Sequence, residues 1–179
     1  MKPTPIATLL FSCSIGSFWL ERSARGLTHC EMLAENTPTE TSVSSASSAD
    51  PLLHQATEEL QAYLMGSLKV FSVPLDLSDL TPFQQKVLAA VALIPWGQMR
   101  TYSEVAAQIG KPNAIRAVGN ALAHNLLMLF VPCHRVIGSD GKLHGFSAPQ
   151  GVALKAWLLE HEGIKVSDKN LYATPNKEI

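Results

Sequence analysis

No stretch of the 179-residue chain approaches eighteen uninterrupted apolar residues, so nothing in it reads as a membrane-crossing helix. Cysteine is sparse: Cys13, Cys30 and Cys133 are odd in number and widely scattered, which argues against a disulfide framework and for a reducing compartment. The eleven glycines and eleven prolines follow no fixed period, which excludes collagen-like and solenoid repeats. Charge of one sign is missing too, the net charge being −1. What is present, 46% hydrophobic and 16% charged residues, is ordinary globular composition with room for one domain or two small ones. The near-neutral total hides an asymmetry: residues 1–80 hold four Lys and Arg against nine Asp and Glu, whereas residues 81–179 hold ten against six. A mildly basic second half suits a polyanion without requiring one.

Lys2 followed by Ile6–Phe11 has the outline of a short secretion signal. Pro3 and Pro5 crowd the place where such a signal would start its helix, so the run is expected to be a first strand inside the cell. Ile6–Phe11, Ser17–Leu20 and Leu27–Leu33 read as short strands parted by Gly16 and Gly26. Ala34–Asp50 is polar and without periodicity, a surface loop expected to be mobile. Pro51–Met65 carries Leu52, Leu53, Ala56, Leu60 and Leu64 on one helical stripe, and Val70–Pro74 is strand-like. A composition change near residue 80 sets the domain boundary, giving domains 1–79 and 80–179.

The second half reads as helical. Thr81 caps a helix that opens on Pro82 and turns Phe83, Val87, Leu88, Val91 and Leu93 inward until Pro95-Trp96-Gly97 stops it. Ser103–Ile109 and Ala114–His124, the latter capped by Asn113, make a helix-turn-helix, and Ser139-Asp140-Gly141 supplies a hairpin wing. A last helix spans about Gly151–His161. The fold class is thus mixed α/β (α+β), ending in a winged helix-turn-helix. The third helix is slim, with Ala114, Ala117, Gly119, Ala121 and Ala123 along it and Arg116 its only cation. That composition suits either close approach to a narrow groove or plain packing against a neighbouring helix.

Pro132-Cys133-His134-Arg135 is the informative segment. A free thiol near pKa 8.5 is mostly protonated at neutral pH, and a base within reach, oriented by an acid, makes it a nucleophile. His134 is adjacent and His161-Glu162 offers a carboxylate. The alternative is a buried structural cysteine.

Several motifs in a fixed order settle the choice. Pro132-Cys133-His134-Arg135, Arg116-Ala117-Val118-Gly119 with Asn125, Ile94-Pro95-Trp96-Gly97 with Thr101-Tyr102, Phe146-Ser147-Ala148-Pro149, Lys155, and Trp157-Leu158-Leu159 with His161-Glu162-Gly163 resemble the O6-alkylguanine-DNA alkyltransferase family, also called methylated-DNA–protein-cysteine methyltransferases. The similarity is close over residues 51–165 and loose before them. It implies a small ribonuclease-H-like N-terminal domain and an irreversible, stoichiometric transfer of the alkyl group from O6-alkylguanine in double-stranded DNA to Cys133 after nucleotide flipping. O4-alkylthymine and the size of the alkyl group stay open.

In that scheme His134 is the base with Glu162 behind it, Tyr102 protonates or hydrogen-bonds the departing guanine, and Asn125 holds the turn before the cysteine. Arg116 fills the base stack, with Ala117, Gly119, Asn120, Tyr102 and Arg135 on the DNA side. Leu122, Val136, Phe146, Ser147 and Lys155 form the substrate pocket. Neither cofactor nor metal is implied, the partner is DNA, and the protein is expected to act as a monomer in the cytoplasm, or the nucleus of a eukaryote.

Three departures stand out. Leu126 and Met128 replace the family's usual prolines, Trp96 stands where tyrosine is common, and Ala123 stands where a further cation often sits. The last predicts weak, strongly salt-sensitive DNA affinity. The rival readings are a Cys-His-Glu hydrolase, a winged-helix regulator, and a non-reacting protein that recognises alkylated DNA. The first two leave Arg116 or the Pro-Cys-His-Arg run unexplained, and relatives of the third kind lack the cysteine.

Overall fold

A computed structural model of the chain describes residues 5–34, 50–167 and 172–174. Most of the predicted mobile loop, residues 35–49, lies outside them. Contacts divide the chain into two units, residues 1–79 with Leu126–Phe130, and residues 80–125 with 131–179.

The first unit is built on an antiparallel sheet in the order β1 (Ala7–Cys13), β2 (Gly16–Arg22), β3 (Leu27–Met32). Alternation puts Phe18 and Leu20 of β2 on the buried face, opposite Met32 and Cys30 of β3. A bulge at Glu21/Arg22 then shifts the register so that Leu27, not Thr28, turns inward. Helix α1 (Pro51–Leu64) lies against β1 and β2 and buries Leu53, Ala56, Leu60 and Tyr63. Its first turn is closed by Asp50, whose Oδ1 accepts from the N–H groups of Leu52 and Leu53 at 3.1 Å. The other carboxylate oxygen takes Arg22; such a cap is worth about 1 kcal/mol.

Val70–Pro74, expected as a strand, does not form one. Pro74 has no N–H to give and contributes only its carbonyl, to Leu27 N–H at 2.8 Å, so the pairing shrinks to one bridge between Leu27 and Leu75. A segment from far along the chain takes a strand-like place instead. Leu127 bridges Cys30, whose N–H donates to the Leu126 carbonyl (2.6 Å) and whose carbonyl accepts the Met128 N–H (3.0 Å). Met128 thus uses the N–H that a proline would lack. Phe130 packs on Phe71, centroids 4.6 Å apart, and Leu129 sits at φ 72°.

The second unit begins with α2 (Pro82–Ala92), closed by a Thr81–Gln84 capping box. Strand β4 (Arg100–Thr101) leads into α3 (Tyr102–Gln108), which has its own box from Thr101 and Glu104. Helix α4 (Ile115–Ala123) packs on α2 and α3 through Val118, Ala121 and Leu122. Cys133–Arg135 forms a single 3-10 turn running into β5 (Val136–Ile137), which pairs in parallel with β4. Helix α5 (Val152–His161) and the pair β6 (Lys165–Ser167) and β7 (Tyr172–Thr174) complete the unit.

Three local expectations need correction. Leu93 is 74% exposed; the helix has ended one residue earlier, and Ile94 takes the inward place. Asn113 does not cap α4, whose N-cap is Ala114 without a side-chain bond. The wing is shorter than a hairpin of two strands: Lys142 is a single bridge residue whose carbonyl accepts the Gly138 N–H at 3.0 Å, and β5 pairs as a strand only with β4. No helix among the described residues is long and apolar enough to cross a membrane.

Candidate active site

The parallel β4–β5 pair brings the two ends of the site together. Arg100 and Thr101 lie opposite Val136 and Ile137, so Tyr102, first residue of α3, is held near the turn that carries Cys133. A recess of about 40 Å³ is lined by Tyr102, Gly119, Leu122, Cys133, Phe146 and Ser147, among others. It adjoins a cleft of about 480 Å³ along α4 that also touches Ile115 and His144. Helix α4 presents Gly119 to the cleft; a Cβ there would stand in ordinary contact with the Tyr102 ring, 3.9 Å away.

Cys133 is half-buried and unoxidised. The Asn125 side-chain amide donates both to its Sγ (3.3 Å) and to the Val131 carbonyl (3.1 Å), bracing the turn from its N-terminal side. Desolvation pushes the thiol above its usual range, more than the Asn125 bond and the nearby Lys155 charge pull it back. The resting sulfur is therefore a thiol, and reaction requires a base.

His134 and Glu162 supply one. His134 is fully buried and its Nε2–H donates to Glu162 Oε1 at 2.8 Å, which leaves Nδ1 as the basic nitrogen of the ring. Burial holds the imidazole below its ordinary pKa despite the carboxylate, so the ring is neutral at pH 7 and can accept a proton. Burial alone would raise Glu162. The hydrogen bonds and charges of His134 and Arg135 outweigh it and hold the carboxyl at about 2.

Arg135, expected on the DNA side, is not there. It is buried and forks onto Glu162, Nε to Oε2 and Nη2 to Oε1, both at 2.8 Å, with Nη1 on the Ile94 carbonyl. A further donor, the Gly97 N–H, reaches Glu162 Oε2 at 3.2 Å. The Pro95-Trp96-Gly97 stop is thus part of the carboxylate's cradle, with Gly97 at φ 72°. The His161 ring lies stacked on Trp157 and edge-on to Trp96, with centroids 5.2 and 5.3 Å apart.

Other expected residues fall in different places. Arg116, Ala117 and Asn120 are exposed on the outer face of α4. The Ser147 hydroxyl donates to the Ala123 carbonyl at 2.8 Å. Val136, expected in the substrate pocket, is buried, and its carbonyl accepts the buried Lys155 ammonium at 2.7 Å. Lys155 also donates to the His144 carbonyl (3.3 Å) and lies 5.9 Å from the Tyr102 ring centroid; burial lowers it to about 8. Among the described residues no three His, Cys, Asp or Glu gather as a metal-binding group.

The comparisons with known proteins coincide with this division. Residues 7–77 match the family described as 6-O-methylguanine DNA methyltransferase, ribonuclease-like domain, and residues 82–164 match its DNA binding domain. The methylated-DNA–protein-cysteine methyltransferase of Methanosarcina barkeri is 39% identical over 148 residues, 83% of this chain and 91% of that protein.

The chain belongs to the 6-O-methylguanine DNA methyltransferase family.

A constitutive member from Bacillus subtilis is 46% identical over 66% of this chain and 71% of its own length. The crystal structure of Mycobacterium tuberculosis OGT in complex with DNA superposes with a TM-score of 0.76 at 39% identity, covering 88% of this chain and 93% of that one. The sequence reading missed the Gly97 contact and the internal role of Arg135. A glycine after Pro-Trp signals a turn, but nothing local says that its N–H faces a carboxylate 65 residues away.

Proposed function

We propose that this chain repairs DNA by direct reversal, taking the alkyl group from O6 of a flipped guanine onto Cys133. The observation that carries the reading is the buried Glu162–His134 pair directly beside a half-buried thiol at the base of a cleft along α4. His134, through Nδ1 and a bridging water, takes the thiol proton while Glu162 stabilises the imidazolium. The thiolate attacks the alkyl carbon: an S–C bond forms, the C–O6 bond breaks, and its electron pair remains on guanine. Tyr102 gives or shares a proton with that departing base. Asn125 keeps the sulfur aimed, and Arg116 on the outer face of α4 occupies the gap left in the stack. An atom buried in the duplex is reached only by extruding its nucleotide, and a slim helix with one long cation suits the minor groove.

The thioether is stable, so each molecule reacts once. The protein acts as a monomer on double-stranded DNA, in the reducing compartment that holds the genome. Intact mass after mixing with a duplex carrying one O6-methylguanine tests the proposal. One added methyl, mapped to Cys133, saturating at one per protein and absent from Cys133→Ala, is expected. Tight binding with unchanged mass would instead identify a non-reacting recognition protein, which the presence of Cys133 disfavours. The same experiment with O4-methylthymine settles the second substrate.

A further inference from the structure

The turn that follows α2 is tied to Glu162 in two ways. Gln98 N–H donates to the Pro95 carbonyl at 3.1 Å, closing a β-turn whose third residue, Gly97, stands at φ 72°, a backbone that favours glycine at that place. Space selects glycine as well: a Cβ on Gly97 would lie 3.1 Å from the Glu162 backbone oxygen. On the inside, Gly97 N–H donates to Glu162 Oε2 at 3.2 Å, and Ile94, just before the turn, gives its carbonyl to Arg135 Nη1. On the outside, the second residue of the turn, Trp96, sets its ring edge-on to His161, centroids 5.3 Å apart. His161 is the last residue of α5 and the chain neighbour of Glu162. Its ring lies flat on Trp157 one helical turn back, with 5.2 Å between centroids and 3° between planes. Three rings thus run from the turn to the end of α5. Trp157 is 38% exposed and the other two are half-buried, whereas the Glu162 side chain is fully buried. A surface stack adds little to a core, yet this one joins two segments that hold the same carboxylate.

Resting on the reading of His134 as the base that activates Cys133, we propose that Trp96 is a positioning residue for that base: its ring, set against His161, keeps the Pro95–Gln98 turn closed over Glu162, so that the carboxylate and the imidazole it orients stay sealed from water. One backbone bond at 3.2 Å is a weak tether for a turn, and an aromatic contact beside it supplies a second attachment. Lifting the turn has three consequences of one sign. Glu162 loses a donor and attracts the His134 proton more strongly. Arg135 loses the Ile94 carbonyl that fixes its fork, which weakens the positive charge opposing an imidazolium. Water reaches a ring that is now fully buried. Each change favours the protonated ring and withdraws the base on the acidic side of neutrality. The charged and titratable groups around the pair are Arg135 on the same 3-10 turn and Lys155 from α5, with Cys133 and His161 as the chain neighbours of the two partners.

The rate at which iodoacetamide alkylates Cys133, mapped by mass and followed from pH 5 to pH 9, tests this without DNA. The wild type is expected to show an acidic limb where His134 takes up a proton. Trp96→Ala is expected to raise the midpoint of that limb by about 0.5, a loss of about threefold on the limb that disappears toward pH 9. Trp96→Tyr, which keeps a ring against His161, restores most of the loss. His161→Ala cuts the same contact from α5 and gives the same shift, with the double variant no worse than either single one; it carries the test alone if Trp96→Ala does not fold. A rate lowered equally at every pH, or single-variant shifts that add, would mean packing only and overturn the role. A limb that moves as expected in a protein that takes no methyl from duplex DNA would fault the repair reading and leave the role of Trp96 standing. An unmoved limb beside normal repair would do the reverse, and a wild type without an acidic limb would remove His134 as the base and this role with it.

Discussion

At the scale of single residues the site is an arrangement of charges. Glu162 would be costly to bury alone, and it receives Nε2–H of His134, two donors of Arg135 and the Gly97 N–H. Arg135 matters twice. It neutralises Glu162, and its positive charge helps keep His134 unprotonated and so available as a base. Glu162→Gln is therefore expected to slow alkylation of Cys133 by about 10–100-fold at pH 7, measured with a small thiol-directed electrophile. The same substitution has a stability signature with a fixed sign. The Glu162 carboxyl, near 4.3 when unfolded, is held at about 2 in the fold. Its contribution is present above the unfolded value and is lost as pH falls from about 4.5 toward 2. Urea unfolding across that window is expected to lose stability steeply in the wild type and less so in Glu162→Gln; parallel slopes would place the carboxylate elsewhere in the acid transition.

At the scale of elements, α4 and the stretch after it divide the work. Helix α4 keeps Val118, Ala121 and Leu122 inward and leaves Arg116 outward. Arg116→Ala should slow transfer from duplex DNA by about tenfold or more while leaving reaction with the free alkylated base near wild type. Equal losses on both substrates would refute a role in filling the stack. In the following segment Leu129 adopts a left-handed backbone yet is 1% exposed. Leu129→Gly would relieve about 1–2 kcal/mol of backbone strain, but deleting a buried leucine costs about 2–5 kcal/mol. The side chain wins, and a net loss of about 1–3 kcal/mol in thermal or urea unfolding is expected. Where the family usually has two prolines, this segment carries Leu126 and Met128. The Met128 N–H donates at 3.0 Å to the Cys30 carbonyl, a bond that a proline there could not make.

For the whole molecule, the charge asymmetry bears on DNA binding, though less strongly than composition suggests. The salt slope scales at about 0.9 per phosphate contact, and with Arg135 buried α4 itself brings one exposed Lys or Arg to the backbone. Titrations between 50 and 200 mM salt are expected to show weak binding with a shallow slope, roughly −1 to −3. A slope near −6 would instead mean that many more cations reach the backbone. Much was legible in the chain itself. Caps such as Thr81 with Gln84, stripes such as Leu53, Ala56 and Leu60, and the nucleophile with its neighbouring histidine are local patterns, because helix periodicity and capping act over three or four residues. The sequence also contained Glu162 and, through the resemblance, its partner. Only the tertiary structure decided that Arg135 turns inward to Glu162, that Gly97 lends its N–H to the same carboxylate, that Leu127 pairs with Cys30, and that His144 closes on Asp140 beside Tyr102. Three of these four join residues tens of positions apart, and even the near pair is set by where Lys155 holds its backbone. Such contacts follow from which buried groups must find partners once the core has closed, and no local pattern encodes that.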